Sequence, residues 1–432
     1  MELFDKLVIP HSSANLELLK YLLSLALIIF SVFSGALLGS TILSLFFNNK
    51  AIKTGKPQFY KLSFDYLNLI NGNLMMSLGL GFLPFFSIIL IYLQLFHQTG
   101  TMITGNLIIS LLLFLISIIM LYIHRLQVII QKKDMEAGAT DLDPLYFGMP
   151  GLLCLIASLW IFTGSVSLTF DVKQWQTEDS LLYSIISYQS IIRFIHFIVT
   201  SMSLAGIAFI VKYFYWDKQE NINNEYEEYS KKFNTWLALT FTGLQPVFFI
   251  CIMFFTPFNA LSMFSFTMLL LAIALVFILI HFLYAAIKDG HFQVSSYSLY
   301  LMIIIFAVII IKEQSSYDYA SKDQIMKLAS NYDKAEAELA ANFEKQPEIN
   351  GKEIYEVKCM ACHRFDVKLV GPPHKVVMEK YINNKEGMVQ FILNPAKVNP
   401  DYPAMPSQGL TPKEVKAVVD YMWKEFGDKV GK

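Results

Sequence analysis

Charge is what this sequence has least of: 16% of its 432 residues are Asp, Glu, Lys or Arg, where a soluble domain carries roughly 25%. The deficit excludes a soluble single-core enzyme, and equally a disordered chain, which needs few apolar residues. Neither sign is in excess. With 34 basic against 35 acidic residues, no long-range field recruits nucleic acid. Cysteine is nearly absent, and four copies imply no disulfide framework. A cleaved leader is not expected, because Glu2, Asp5 and Glu17 stand where a basic n-region would be and the first apolar run is too long. What fills the chain instead is apolar: 55% of residues, 36 of them phenylalanine. The composition is that of a membrane protein.

The averages conceal a break near residue 311. Before it, Leu/Ile/Phe runs dominate; after it come Lys, Glu, Asp and Ala, and then a stretch punctuated by Gly and Pro. The expected organisation is all-α: a transmembrane helical bundle over 1–312, a linker over 313–343 and a small helical soluble domain over 344–432. Eight runs reach the roughly 20 apolar residues that a spanning helix needs: 18–47, 68–96, 101–124, 148–170, 186–213, 234–258, 262–287 and 294–311. The odd-numbered connections are basic, with Lys50, Lys53, Lys56 and Lys61, then Arg125, Lys132 and Lys133, then Lys212, Lys218, Lys231 and Lys232, then Lys288. The even-numbered ones offer Lys173, and the N-terminal tail adds Lys6. By the positive-inside rule the odd connections are cytoplasmic. Both termini then lie outside, on the periplasmic face of a bacterial inner membrane. The Ala/Glu/Lys-rich linker predicts a partly helical, semi-rigid spacer.

Cys359-Met360-Ala361-Cys362-His363 is C-x-x-C-H, the attachment motif for c-type haem. Both thiols must reach one porphyrin while the adjacent imidazole reaches its iron, which fixes the spacing. A zinc site would need further ligands. Covalent haem c is attached outside the cytoplasm, in agreement with the charge asymmetry. The surrounding residues resemble a class I cytochrome c. Gly371-Pro372-Pro373 follows the histidine as in that family, and Pro403-Ala404-Met405-Pro406 resembles its methionine loop. The resemblance implies Met405 as the sixth iron ligand, with Met388 and Met378 as alternatives that otherwise read as helix core. Thr411-Pro412-Lys413-Glu414 is a capping box with proline at N1. Val415, Val418, Val419, Met422 and Phe426 then make one apolar helix face, and the resemblance implies that this helix crosses the first one beside the haem. His374 reads as a surface residue. Cys154 and Cys251 read as small apolar residues within spans.

Ionisable groups inside spans are costly and mark function. Arg193 and His196 stand three apart on one helix face, with Thr200 and Ser203 continuing it. An inward histidine can ligate haem b while the arginine pairs with a propionate. The same residues also fit an interhelical hydrogen bond and a snorkelling arginine. The stretch Ile192-Arg193-Phe194-Ile195-His196-Phe197, through Ala205-Gly206, resembles the fifth helix of subunit I of cytochrome bd quinol oxidases. Ser158-Leu159-Trp160-Ile161 resembles its fourth helix, and Asn71-Gly72-Asn73 with Leu78-Gly79-Leu80-Gly81 its second. That resemblance, over roughly 15–285, implies a haem b on His196.

It further implies a methionine partner early in a later span, Met268 or Met263, with His97 as an alternative. His124 and His281 read as interfacial residues, or as a pair for a second haem. The departures matter as much. The first span has no histidine, the third lacks acidic residues, and the connection between spans six and seven is too short for a quinol-binding loop. Stand-alone oxygen reduction is therefore not expected. The expected function is electron transfer between a quinone pool or membrane partner and a periplasmic acceptor, beside other subunits of a respiratory complex. The alternative is a haem-free scaffold tethering the cytochrome, or a subunit of a terminal reductase.

Overall fold

The computed structural model describes residues 8–70, 74–136, 146–175, 180–216, 224–289, 294–344 and 349–430. Asn71-Gly72-Asn73, Lys6 and Lys218 lie outside the described residues, as do the side chains of Lys132 and Lys133. Every regular element among the described residues is helical. The chain divides into two compact units, Met1–Lys334 and Ala335–Lys432.

The first unit is built on eight helices long and apolar enough to cross a membrane, as in a multi-pass membrane protein. These are α1 (Ser13–Thr54), α3 (Leu74–Leu95), α4 (Ile103–Glu136), α5 (Gly148–Leu168), α7 (Tyr188–Val211), α8 (Asn224–Phe255), α9 (Met263–Asp289) and α10 (Val294–Ala320). Two shorter helices, α2 (Pro57–Ile70) and α6 (Ser180–Ile186), lie between them. Helix α1 ends on Gly55, whose φ of 65° lets its N–H return to the Ala51 carbonyl at 2.8 Å, a left-handed cap that glycine adopts without penalty. In α3, Pro84 follows a π-helical turn at Ser77–Phe82, the local remedy for the backbone bond that proline removes.

Within hydrocarbon, close packing and interhelical hydrogen bonds replace the hydrophobic effect as the cement. Helix α1 supplies Gly35 and Gly39, a small-x-x-x-small pair, and a Cβ on Gly39 would sit 2.3 Å from the Ser201 carbonyl oxygen of α7. Those two backbones therefore touch. Helices α4 and α5 are zipped by a reciprocal pair, Ser110 Oγ donating to the Ser158 carbonyl and Ser158 Oγ to that of Ser110, both at 2.7 Å. Trp160 of α5 stacks on Phe194 of α7, with ring centroids 5.4 Å apart and planes 8° apart, and this sets the rotation of α7 where Arg193 and His196 project.

The last span runs past residue 311. Helix α10 continues to Ala320, and α11 (Lys322–Glu344) follows it. Tyr317 and Leu328 are buried in the main core of the first unit. Gln324 Nε2 donates to the His97 carbonyl at 2.8 Å, and Asn331 Nδ2 to Gln98 Oε1 at 3.3 Å. Residues 313–334, expected as spacer, are therefore packed against the bundle.

The second unit contains α12 (Gly351–Ile354), α13 (His374–Glu379), α14 (Lys385–Leu393) and α15 (Pro412–Phe426). The capping box forms: Thr411 Oγ1 accepts from the Glu414 amide, and the Glu414 carboxylate accepts from the Thr411 amide. Val415, Val418, Val419 and Met422 of α15 are fully buried. Helix α15 crosses α12 at Gly351, where a Cβ would lie 2.0 Å from the Ala417 carbonyl oxygen. Only glycine permits that approach.

Candidate functional site

Helix α12 runs through a π turn at Tyr355–Cys359 directly into the C-x-x-C-H segment. The amides of Cys362 and His363 both bond the Cys359 carbonyl, folding the motif into a tight turn that turns both thiols and the imidazole to one side. Cys359, Cys362 and His363 line a single cleft, open to solvent, whose other walls include Tyr381, Met388, Met405 and Met422. Both thiols are unpaired, as thioether formation requires.

His363 is held in a defined state. A carbonyl can only accept, so the 2.8 Å contact with Pro372 O makes Nδ1 the protonated nitrogen and leaves Nε2 as the lone-pair donor for iron. The Gly371 amide bonds the Cys362 carbonyl at 2.8 Å, and a Cβ on Gly371 would stand 2.2 Å from His363 Cε1. The Gly-Pro-Pro segment thus packs flat against the imidazole. These residues fit a covalently held haem: two free thiols, one imidazole of fixed tautomer, and an apolar cleft.

Met405 lies in the non-helical segment between Pro403 and Pro406, half-buried on the cleft wall. Met388 also lines the cleft but is buried in α14, and Met378 is buried in α13. His374 differs from its sequence reading. It is 5% exposed, its ring stacks on His363 with centroids 4.7 Å apart, and its Nδ1 lies 2.9 Å from the Tyr355 hydroxyl. Burial, reinforced by the neighbouring His363, pushes its pKa down to about 3. It is a neutral interior partner of the iron-side histidine.

A family model described as cytochrome c matches residues 349–425. Over 76 residues the chain is 33% identical to cytochrome c-551 of Pseudomonas denitrificans, a match that covers 93% of that protein and 17% of this chain. The chain belongs to the cytochrome c family. The membership rests wholly on the second unit, hereafter the cytochrome c domain, and it brings covalent haem c and electron transfer with it. Neither match reaches the membrane bundle. No solved structure matches the chain.

In the bundle, Arg193 and His196 are both buried on α7 and both line one cavity, with Thr163, Phe197, Thr200, Phe306 and Glu313. A second, smaller cavity also meets His196, beside Leu269, Ala272, Lys312 and Glu313. The imidazole packs edge-on against Phe249, with ring centroids 5.0 Å apart, and Thr200 Oγ1 lies 3.3 Å from its Nε2. Arg193 stands 5.0 Å over the Phe170 ring and donates to Thr256 Oγ1 at 3.2 Å, while its Nε and Nη1 have no hydrogen-bond partner. One buried imidazole and a guanidinium whose Nε and Nη1 make no hydrogen bond therefore face the same space, with Glu313 at 3.4 Å from Nε.

The other membrane expectations are met unevenly. Met268 packs within the apolar cluster of α9, while its neighbours Leu269 and Ala272 line the His196 cavity, so the structure does not bring it to the imidazole. Met263 is 82% exposed. His97 lines a separate small pocket with His11 and Gln94. His124 is buried against Gly148 of α5, and His281 is on the outside of α9. Glu313 and Lys312 of α10 were not foreseen. Both stand directly after the last apolar run, which ends at Ile311.

Proposed function

We propose that this chain is a membrane-bound haem b/haem c electron-transfer protein. It links the quinone pool or a membrane partner to a periplasmic acceptor through its cytochrome c domain. The observation that supports the membrane half is the shared cavity of Arg193 and His196, in which one imidazole and a partly unsatisfied guanidinium face the same space. The resemblance to subunit I of the bd oxidases marks the same histidine. Haem iron, when bound, supplies one-electron chemistry between its ferric and ferrous states.

The residues of the chain do the rest. Pro372 O keeps the His363 proton on Nδ1, so Nε2 faces the cleft as a donor. Gly371 and the stacked His374 hold that ring in place. Met405 offers a thioether on the cleft wall, and histidine–methionine ligation favours a higher potential, suited to receiving electrons. In the bundle, His196 presents an imidazole and Arg193 a cation to one cavity. The basic odd-numbered connections put the cytochrome c domain on the periplasmic face of a bacterial inner membrane.

The reading assigns a redox subunit that works with partner subunits, and no oxygen chemistry of its own. Rapid mixing of the oxidised full chain with a short-chain quinol tests it. The expected result is reduction of the c-type band in wild type and at least about tenfold slower reduction in His196→Ala. Equal rates in the two would overturn the role of the bundle and leave a haem-free scaffold that tethers the cytochrome.

A further inference from the structure

Two cations and one carboxylate share the buried end of α10. Arg193 is 8% exposed and Lys312 4%. Lys312 Nζ donates to Glu313 Oε1 at 2.7 Å. Arg193 Nε stands 3.4 Å from Glu313 Oε2, close enough for an ion pair, yet neither atom has a hydrogen-bond partner. Glu313 therefore satisfies Lys312 well and Arg193 poorly. The group as a whole keeps one uncompensated positive charge.

Among the described residues, the ion pairs of Arg193 and Lys312 are both with Glu313. Lys20 pairs with Glu17 at 2.6 Å and with Asp318 at 3.6 Å, but these two carboxylates are 56% and 39% exposed and are stabilised by water instead. An unbalanced buried charge is costly, and more so in hydrocarbon. Arg193, Glu313 and His196 line the larger cavity, while Lys312 lies behind Glu313 on a much smaller one that also meets His196.

We propose that Arg193 and Lys312 form a two-cation cradle for a carboxylate of the ligand that His196 holds: Arg193 donates to it from the shared cavity, and Lys312, bonded to the far side of Glu313, adds the positive charge that offsets this fixed counter-charge. The inference rests on the haem b reading above and adds to it the tuning of Arg193 by a charge pair outside α7, Lys312 and Glu313 of α10. The excess of one positive charge matches one ligand carboxylate. Guanidinium and ammonium donors in a dry site make the strong, charge-assisted class of hydrogen bond.

The full chain, produced in haem-limited cells and held in detergent, is titrated with haemin and with haemin dimethyl ester, which lacks free carboxylates. Wild type is expected to take haemin at least about tenfold more tightly than the ester. Lys312→Met should shrink that ratio, Glu313→Gln should enlarge it, and the double variant, which restores the net charge, should return close to wild type. In redox titrations the b-type midpoint should fall in Lys312→Met and rise in Glu313→Gln. A merely structural role would move both single variants the same way and the double variant furthest, which overturns the cradle. Equal uptake of haemin and ester by wild type overturns it too, while leaving haem b in place. Uptake of neither sinks both readings.

Discussion

Replacing Gly371 with alanine should damage the cytochrome c domain through space alone. Its backbone is not in the left-handed region, where Gly55, Gly100 and Gly409 lie, so alanine is conformationally acceptable there. The difficulty is the His363 ring: the new Cβ would meet Cε1 at 2.2 Å and Nδ1 and Nε2 at 2.7 Å. Relief requires a displacement of roughly 1.5 Å, because carbon contacts settle near 3.5–4.0 Å. Overpacking of this kind costs about 1–3 kcal/mol. Tilting the ring also strains the Nδ1 bond to Pro372 O, worth about 1 kcal/mol. A loss of about 2–4 kcal/mol in a domain of this size lowers Tm by roughly 10–25 °C. The assay is the thermal melt of the full chain, followed at the c-type Soret band. Gly427→Ala is the control, since its nearest neighbour is Trp423 Cε3 at 3.5 Å, and should stay within about 0.5 kcal/mol of wild type. If Gly371→Ala melts within about 2 °C of that control, the packing of the Gly-Pro-Pro segment on the imidazole is not what orders the site.

Cys362→Ala should abolish haem stain on a denaturing gel, and stain of normal intensity would refute covalent attachment there. Met405→Ala should remove the weak red-edge absorption of sulfur-to-iron ligation in the oxidised protein; loss in Met388→Ala instead would identify the wrong methionine. Thr411→Ala should cost about 1 kcal/mol of domain stability, the usual worth of an N-cap, read from a denaturant melt. Hydrogen bonds from Thr411 hold the Glu414 carboxyl below its ordinary 4.5. Being lowered in the fold, it contributes stability that is complete above that value and fades as pH falls through the lowered one, so Glu414→Gln should flatten the acid limb of the melt.

How far the sequence carried the structure depended on whether a signal was local. Helix α15 could be read whole, because Thr411 and Glu414 announce its start and its apolar spacing needs no partner. The eight spans were legible for the same reason: each needs only its own apolar length. The C-x-x-C-H turn carries its geometry within five residues. By contrast, His374 looked like a surface residue because its partner Tyr355 is nineteen positions away, and no periodicity links the two. Lys312 and Glu313 were lost at the edge of the last apolar run, where a hydropathy reading stops at the first charge even when the helix and its burial continue. A signal was available there. Tyr317, Ser321, Gln324 and Leu328 recur at helical spacing, and all four meet the bundle or its loops. Met268 lies on the helix that meets the cavity, but Leu269, one position further on, is the residue that lines it.

The proposed function turns on a b-type haem held by His196 besides the covalent haem c. The most direct measurement is the pyridine haemochrome spectrum of the full chain isolated in mild detergent, for wild type and His196→Ala. Wild type should show b-type and c-type signals together, and the variant should lose the b signal with an unchanged c signal. A wild-type spectrum with c alone, or a variant that keeps all of its b haem, would contradict the proposal.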